Sequence, residues 1–167
     1  YGIEPDAVSV GKGLGNGYPV SAAALSPALA ARYEAAGLYY AQSHQNNPLG
    51  CAVALAVMDE LESGSWLEKA RAMEAWMRAE LASLPDPRGA VAEVRARGAL
   101  FALEFRRETG LTGEAAFRAL WDGGVISACY PSSYPAGTGL RFDLPLCLEP
   151  ENFAPAADIL GRLLTRG

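Results

Sequence analysis

The sequence predicts an α/β fold, and three observations lead to this prediction. Short apolar runs that suit strands are followed by longer runs with helical spacing. A turn-rich segment, "PDPRG" (85–89), separates two such sets of elements. The chain has 167 residues, of which 50% are hydrophobic, so it is long enough for a sizeable core. We therefore expect one α/β unit followed by a small α+β unit that packs on it.

The first elements are recognised by their ends. "DAVSV" (6–10) is a bounded apolar run and predicts a buried strand, and "YPVSAAAL" (18–25) predicts a second strand. Ser26, followed by proline, is a favourable N-cap and predicts a helix that closes at Gly37. The polar and aromatic segment 38–47 is predicted to be a strand end and a loop.

The clearest element is the helix that follows Asn47 and Pro48. "SGS" (63–65) ends it, and a second helix is predicted over about 66–84. The apolar residues of the first of these helices lie on one face, at Leu49, Ala52, Val53, Ala56, Val57 and Leu61.

After the "PDPRG" hinge the pattern changes to strands with two helices among them. We expect a domain boundary at this hinge, which gives domains over 1–84 and 85–167. Strands are predicted over 90–98, 99–105, 124–131 and 139–146, and helices over about 113–122 and 151–164.

Composition excludes several classes of function. A net charge of −5 without a basic patch argues against nucleic-acid binding. No apolar run reaches the roughly 20 residues that span a bilayer. Apolar residues flank Cys51, Cys129 and Cys147 in the sequence, which predicts buried, reduced thiols and a cytoplasmic protein. A single histidine, His44, excludes a histidine-rich metal site and argues against a Ser-His-Asp triad.

Lys12 lies in a glycine-rich turn, "GKGLGNG" (11–17), directly after the first strand. Arginines outnumber lysines twelve to two, so a generic surface cation would more often be arginine. Glycine lets a ligand approach the backbone closely, and a lysine here can point into a cleft where desolvation lowers its pKa, as imine chemistry needs. A tight turn with a solvated lysine is the alternative. The stretch matches neither common phosphate-loop pattern.

A second polar cluster is "SHQNNPLG" (43–50), just ahead of the long helix. A hydroxyl, side-chain amides and the free N–H groups of a helix N-terminus suit an anion. Simple capping of the helix is the alternative interpretation.

Taken together, "YGIEPDAVSVGKGLGNGYPVSAAALS" and "SHQNNPLGCAVALAVMDEL" resemble the class III, or ω-amino-acid, aminotransferases, which are fold-type I pyridoxal phosphate enzymes. "GLRFDLPLCLEPENF" (139–153) is similar to the C-terminal motif of the same family. The resemblance covers nearly the whole chain. It implies the C-terminal part of such an enzyme: the end of the large cofactor-binding domain over 1–84, with interface helices, and the small α+β domain over 85–167.

The resemblance also implies roles for three residues. Lys12 would be the catalytic lysine, which binds pyridoxal 5'-phosphate as a Schiff base and carries the proton. Ser43 stands where the family has threonine and would bind the cofactor phosphate across a dimer interface. Arg141 would bind a substrate carboxylate, because its guanidinium matches a carboxylate in two hydrogen bonds. An ordinary strand arginine paired with Asp143 or Glu104 is the alternative.

Some positions depart from the family pattern. His44 replaces a phenylalanine, Tyr40 stands where histidine is common, and Leu144 replaces the first of two prolines. Lys69 is predicted to be a solvated helix residue. The sequence begins in mid-fold, so we expect the aspartate on the pyridine nitrogen, the phosphate turn and the stacking aromatic ring to lie upstream of Tyr1. The chain alone is then expected to be inactive.

The expected activity of the full-length parent is transfer of an amino group from an amino acid, an ω-amino acid or an amine to a 2-oxo acid. A cytoplasmic homodimer that binds neither nucleic acid nor membrane is expected with it. An aminomutase, an epimerase or a decarboxylase of the same fold is the alternative within this class. A non-catalytic binding or oligomerisation module, or a truncated fragment, is the alternative outside it.

Overall fold

The computed structural model describes residues 2–129 and 139–165. The chain forms two compact units that divide between Ser65 and Trp66. The sequence places the division later, between residues 84 and 85. The difference arises because the helix that begins at Trp66 packs into the core of the second unit, where it buries Met73, Met77 and Leu81.

The first unit contains two strands and two helices: β1 (Ala7–Val10), β2 (Ala22–Leu25), α1 (Pro27–Ala35) and α2 (Pro48–Ser63). β1 and β2 pair antiparallel, so the glycine-rich segment between them is a hairpin connection. The α1 helix begins as predicted, because the Ser26 hydroxyl accepts the Leu29 N–H at 3.2 Å. Residues 38–47 contain no strand, contrary to the prediction, because their hydrogen bonds close local turns.

The β1 strand is exposed, so its prediction as a buried strand is wrong. Val8 and Val10 keep 40% and 41% of their surface exposed. A two-stranded sheet has no core of its own unless another layer covers a face. Throughout residues 2–65, the buried positions are Gly15 and Gly50. Apolar sequence alone therefore does not bury these strands.

The second unit is an antiparallel sheet with three helices. The strands are β3 (Val91–Arg97), β4 (Leu100–Phe105), β5 (Ala128–Cys129) and β6 (Gly139–Asp143), in the order β3–β4–β6–β5. The helices are α3 (Trp66–Ser83), α4 (Gly113–Asp122) and α5 (Ala154–Thr165). The strand predicted over 124–131 is represented by the short β5, and its last two residues, Tyr130 and Pro131, lie outside the described residues.

One face of this sheet forms the hydrophobic core. Alternate side chains of the two central strands are buried, namely Phe101, Leu103 and Phe105 of β4 and Leu140 and Phe142 of β6. The helices add Met77, Leu81, Leu120, Leu160 and Leu164. Burial of one large apolar side chain contributes about 1.5–3 kcal/mol. The core therefore determines which side of each strand faces outward.

The cysteines are less buried than the sequence predicts. Cys51 and Cys147 are exposed and Cys129 is half-buried, all as free thiols. Cys51 lies on α2, where Gly50 is the buried residue, and Cys147 lies in the turn after β6. Across the described part of the chain, no helix is long and apolar enough to cross a bilayer.

The contact between Gly113 and Gly139 leaves no room for a side chain. A Cβ atom at Gly113 would lie 2.2 Å from the Gly139 carbonyl oxygen. We expect Gly113→Ala to lower the free energy of unfolding by about 1–3 kcal/mol, because α4 must move away from β6. Urea denaturation followed by tryptophan fluorescence measures this change. Gly161→Ala is the matched control: its Cβ would meet Pro85 at 3.6 Å, and a gain of about 0.5–1 kcal/mol is expected within a helix. An equal loss of unfolding free energy in Gly113→Ala and Gly161→Ala would contradict the prediction.

Glu74 connects α3 to the turn between β3 and β4. Its carboxylate accepts the Gly98 N–H at 2.7 Å and pairs with Arg78 at 3.4 Å. The hydrogen bond from Gly98 lowers the pKa of Glu74 in the folded state. The stabilisation is therefore complete above the unfolded-state pKa and is lost as the pH falls through the folded-state pKa.

Glu74→Gln should consequently be least stable relative to the wild type near neutral pH, and the difference should shrink in acid. Urea denaturation of both proteins, from neutral pH down to below the folded-state pKa of Glu74, measures this difference in the free energy of unfolding. A difference that does not vary with pH would contradict the assignment.

Candidate active site

Lys12 begins a tight turn directly after β1. Residues 12–15 form one 3-10 turn. The Leu14 N–H donates to the Gly11 carbonyl at 3.2 Å, and the Tyr18 N–H donates to the Gly15 carbonyl at 2.9 Å. The backbone φ of Lys12 is +51°, in the left-handed region. Its side chain is exposed, so the cleft that the sequence predicts around it is not formed by residues of the first unit.

Two glycines bring this turn against the N-terminus of α2. A Cβ at Gly15 would lie 2.9 Å from Cγ1 of Val20, and a Cβ at Gly50 would lie 3.4 Å from Cγ2 of the same valine. Gly50 also approaches the Tyr18 ring, at 3.7 Å from the same hypothetical Cβ. Sequence reasoning missed Gly50, because a glycine in the first turn of a helix carries no signal of what packs on it.

Ser43 lies in the turn that precedes α2, and its side chain is exposed. The Asn47 side chain caps the helix: its Oδ1 accepts the Leu49 N–H at 3.0 Å and the Gly50 N–H at 3.2 Å. Two of the N–H groups that could bind an anion are therefore satisfied by the cap. This arrangement matches the capping interpretation for Asn47. The Ser43 hydroxyl is not part of this cap.

A cavity of about 730 Å³ lies between the Lys12 turn and the loop that carries Ser43. It is within the usual size of a small-molecule site. Neither Lys12 nor Ser43 is among its lining residues. Side chains from both sides line it, including Leu14, Tyr18, Ser21, Tyr40, His44 and Asn47.

Arg141 lies on the outward face of β6 in the second unit. Its guanidinium donates to one oxygen of Asp143, from Nε at 3.0 Å and also from Nη2. It stands in register between Ala102 of β4 and Ala128 of β5. Of the two partners that the sequence left open, the ion pair forms with Asp143.

Glu104, the other candidate partner, is bound by Arg95 of β3. Nη1 of Arg95 lies 2.6 Å from the Glu104 carboxylate and 2.8 Å from that of Glu93. The hydrogen bond to Glu104 is the main cause that raises the pKa of Arg95 above its ordinary value. Among the described residues of the outward face, Arg141 thus pairs with Asp143, while Arg95 pairs with Glu93 and Glu104.

The second lysine is placed differently from Lys12. Lys69 lies on α3, and its ammonium is 4.1 Å from the centroid of the Trp66 ring. In residues 2–129 and 139–165 no group of three or more histidine, cysteine, aspartate or glutamate side chains could hold a metal ion.

Comparison with known proteins gives a consistent result. The model of the aminotransferase class-III family matches residues 1–164. An acetylornithine aminotransferase of Methanothermobacter thermautotrophicus is 28% identical over 165 residues, which are 99% of this chain and 40% of that protein. A 4-aminobutyrate aminotransferase of Mycobacterium bovis is 30% identical over 98% of this chain and 36% of its own length.

A solved (S)-enantioselective ω-transaminase from Thermomicrobium roseum has a TM-score of 0.81 and 27% identity, over 99% of this chain and 38% of its own. The chain spans no more than 40% of the length of any of these three proteins. The superposition confirms the predicted α/β fold class as part of a transaminase fold. Because the family model covers nearly the whole sequence, the resemblance is also confirmed. The chain belongs to the class-III aminotransferase family.

Proposed function

We propose that this chain supplies part of a pyridoxal 5'-phosphate-dependent aminotransferase that moves an amino group from an amino acid, an ω-amino acid or an amine to a 2-oxo acid. Family membership supports the reaction. The names of two relatives, acetylornithine aminotransferase and 4-aminobutyrate aminotransferase, support donors of this kind. A homodimer in the cytoplasm belongs to the same proposal.

The observation that carries the proposal is the backbone of Lys12. The left-handed conformation costs a residue with a Cβ atom about 1–2 kcal/mol of conformational free energy. Lys12 has a φ of +51°, which lies in this region. Glycine, which already stands on either side of it, would adopt this conformation at lower cost. Strain of this kind clusters at active sites and ligand-binding segments. The exposed amine is accessible to a bound molecule.

The donor groups of the first unit suit the cofactor. Lys12 offers a primary amine for its aldehyde, and Ser43 offers a hydroxyl for its phosphate. When bound, the cofactor supplies an electron sink that stabilises negative charge on the substrate carbon next to nitrogen. Lys12 would hold the cofactor through its amine, and when that amine is free it would move the proton between the substrate carbon and the cofactor.

In the second unit, Arg141 provides the site for a carboxylate of the substrate. Its guanidinium is always charged and presents paired N–H donors that fit a carboxylate. The side chain is 45% exposed on the outward face of β6, so a ligand can reach it.

Reductive labelling tests the role of Lys12. After addition of pyridoxal 5'-phosphate and borohydride, we expect the pyridoxyl group predominantly on Lys12, located by peptide mass spectrometry. The chain has two lysines, so Lys69→Arg is the matched control and should keep the label. Lys12→Arg should lose it, because a guanidinium does not form the imine. An undiminished yield of label in Lys12→Arg would contradict the proposal.

The strain argument predicts opposite effects of glycine at the two lysines. Lys12→Gly should stabilise the turn by about 1–2 kcal/mol relative to Lys12→Ala, because alanine retains the left-handed strain. Hydrogen exchange at the Leu14 amide, whose hydrogen bond to the Gly11 carbonyl spans Lys12, measures this difference. Lys69→Gly should destabilise α3 by about 1 kcal/mol relative to Lys69→Ala. Equal exchange at the Leu14 amide in Lys12→Gly and Lys12→Ala would show that the turn stores no strain.

A further inference from the structure

Strand β6 places Arg141 and Asp143 side by side on its outward face. Leu140 and Phe142 point into the core, so the residues between and after them face outward. Arg141 and Asp143 are each 45% exposed. Two N–H groups of the guanidinium, on Nε and Nη2, donate to the same oxygen of Asp143. The Nε and Nη2 edge of the guanidinium, which matches a carboxylate best, is therefore already bound to Asp143.

The neighbours of Arg141 across the sheet are small. Ala102 and Ala128 stand opposite it on the adjacent strands, which lie about 4.8 Å away. A methyl group is the smallest side chain with a Cβ atom, so these two positions add little bulk beside the guanidinium. Asp143, by contrast, occupies the Nε and Nη2 edge of Arg141.

Glu104, the other partner that the sequence offered for Arg141, is bound by a different arginine. Glu104 lies diagonally across β4 from Arg141, but it pairs with Arg95 at 2.6 Å. Arg95 also binds Glu93, so this arginine gathers two carboxylates while Asp143 pairs with Arg141. Asp143 is therefore an internal competitor for a carboxylate that binds Arg141.

We propose that Asp143 is a specificity-determining residue that competes with the carboxylate of a substrate for Arg141. This inference rests on the proposed function, in which Arg141 binds that carboxylate. An incoming carboxylate must displace Asp143 from the Nε and Nη2 edge or share the guanidinium with it against like-charge repulsion. Substrates with a carboxylate at this position are thereby disfavoured relative to amines that carry none there.

The experiment measures binding of glutarate, a dicarboxylate without an amine or a ketone, to the full chain without the cofactor. Its dissociation constant is obtained by NMR titration of the Nε–H resonances of the arginines. Asp143→Asn keeps the shape of the side chain and removes its charge, so we expect about two- to five-fold tighter binding, from the usual strength of an exposed ion pair. Arg141→Gln should lose the binding, and the double variant should show no gain from Asp143→Asn.

Glu114→Gln is the control for net charge. It removes one negative charge from another exposed arginine–carboxylate pair, Glu114 with Arg118 at 3.2 Å, and should leave glutarate binding unchanged. Backbone amide spectra establish that each variant is folded. Equal tightening in Glu114→Gln and Asp143→Asn would overturn the inference, because the effect would then be one of net charge.

The two proposals fail in different ways. Unchanged affinity in Asp143→Asn, with binding lost in Arg141→Gln, overturns the role of Asp143 and leaves the carboxylate site at Arg141 in place. Unchanged affinity in Arg141→Gln, or no binding by either the wild type or Asp143→Asn, overturns the carboxylate site itself and the inference with it.

Discussion

The alternation of side chains along β4 and β6 is the constraint on which the second unit depends. Phe101 and Phe142 are opposite each other in the register and both lie in the core. Each buried side chain of this size contributes about 1.5–3 kcal/mol, whereas an exposed ion pair contributes about 0.2–1 kcal/mol. Packing of the core therefore determines the strand register. The charged residues of the outward face then pair with one another at the positions that this register gives them. A slip of one residue would place Arg141 among the phenylalanines, which the core excludes.

The first unit is organised by different forces. Its strands and helices bury almost no side chains of their own, so local hydrogen bonds and close backbone approach define it. Asn47 determines where α2 begins, and Gly15 and Gly50 allow the Lys12 turn and the helix to meet on Val20. The candidate catalytic lysine is therefore held by backbone geometry, while the candidate carboxylate site is held by a packed core.

Local signals in the sequence predict local structure well here. The cap at Asn47 and the glycine-rich turn at Lys12 are recognisable because the hydrogen bonds involved join residues close in sequence. The unit to which α3 belongs is not predictable in this way. The apolar face that contains Met77 would have the same sequence pattern whether it packed on the first unit or on the second. Asp143 lies two residues from Arg141, so the sequence could offer it as a partner. The pairing of Arg95 with Glu104 joins two strands and depends on their register, which a single sequence does not show.

The two alanines beside Arg141 have a consequence for engineering. Ala102 and Ala128 are half-buried positions on the outward face, opposite the guanidinium and away from the aromatic core. Side chains of graded size at these positions would narrow the approach to Arg141 without enlarging any residue of the core. If Arg141 binds a carboxylate as proposed, variants at these two positions would change which length and branching of a carboxylate-bearing molecule is accepted, while the charge of the guanidinium stays constant.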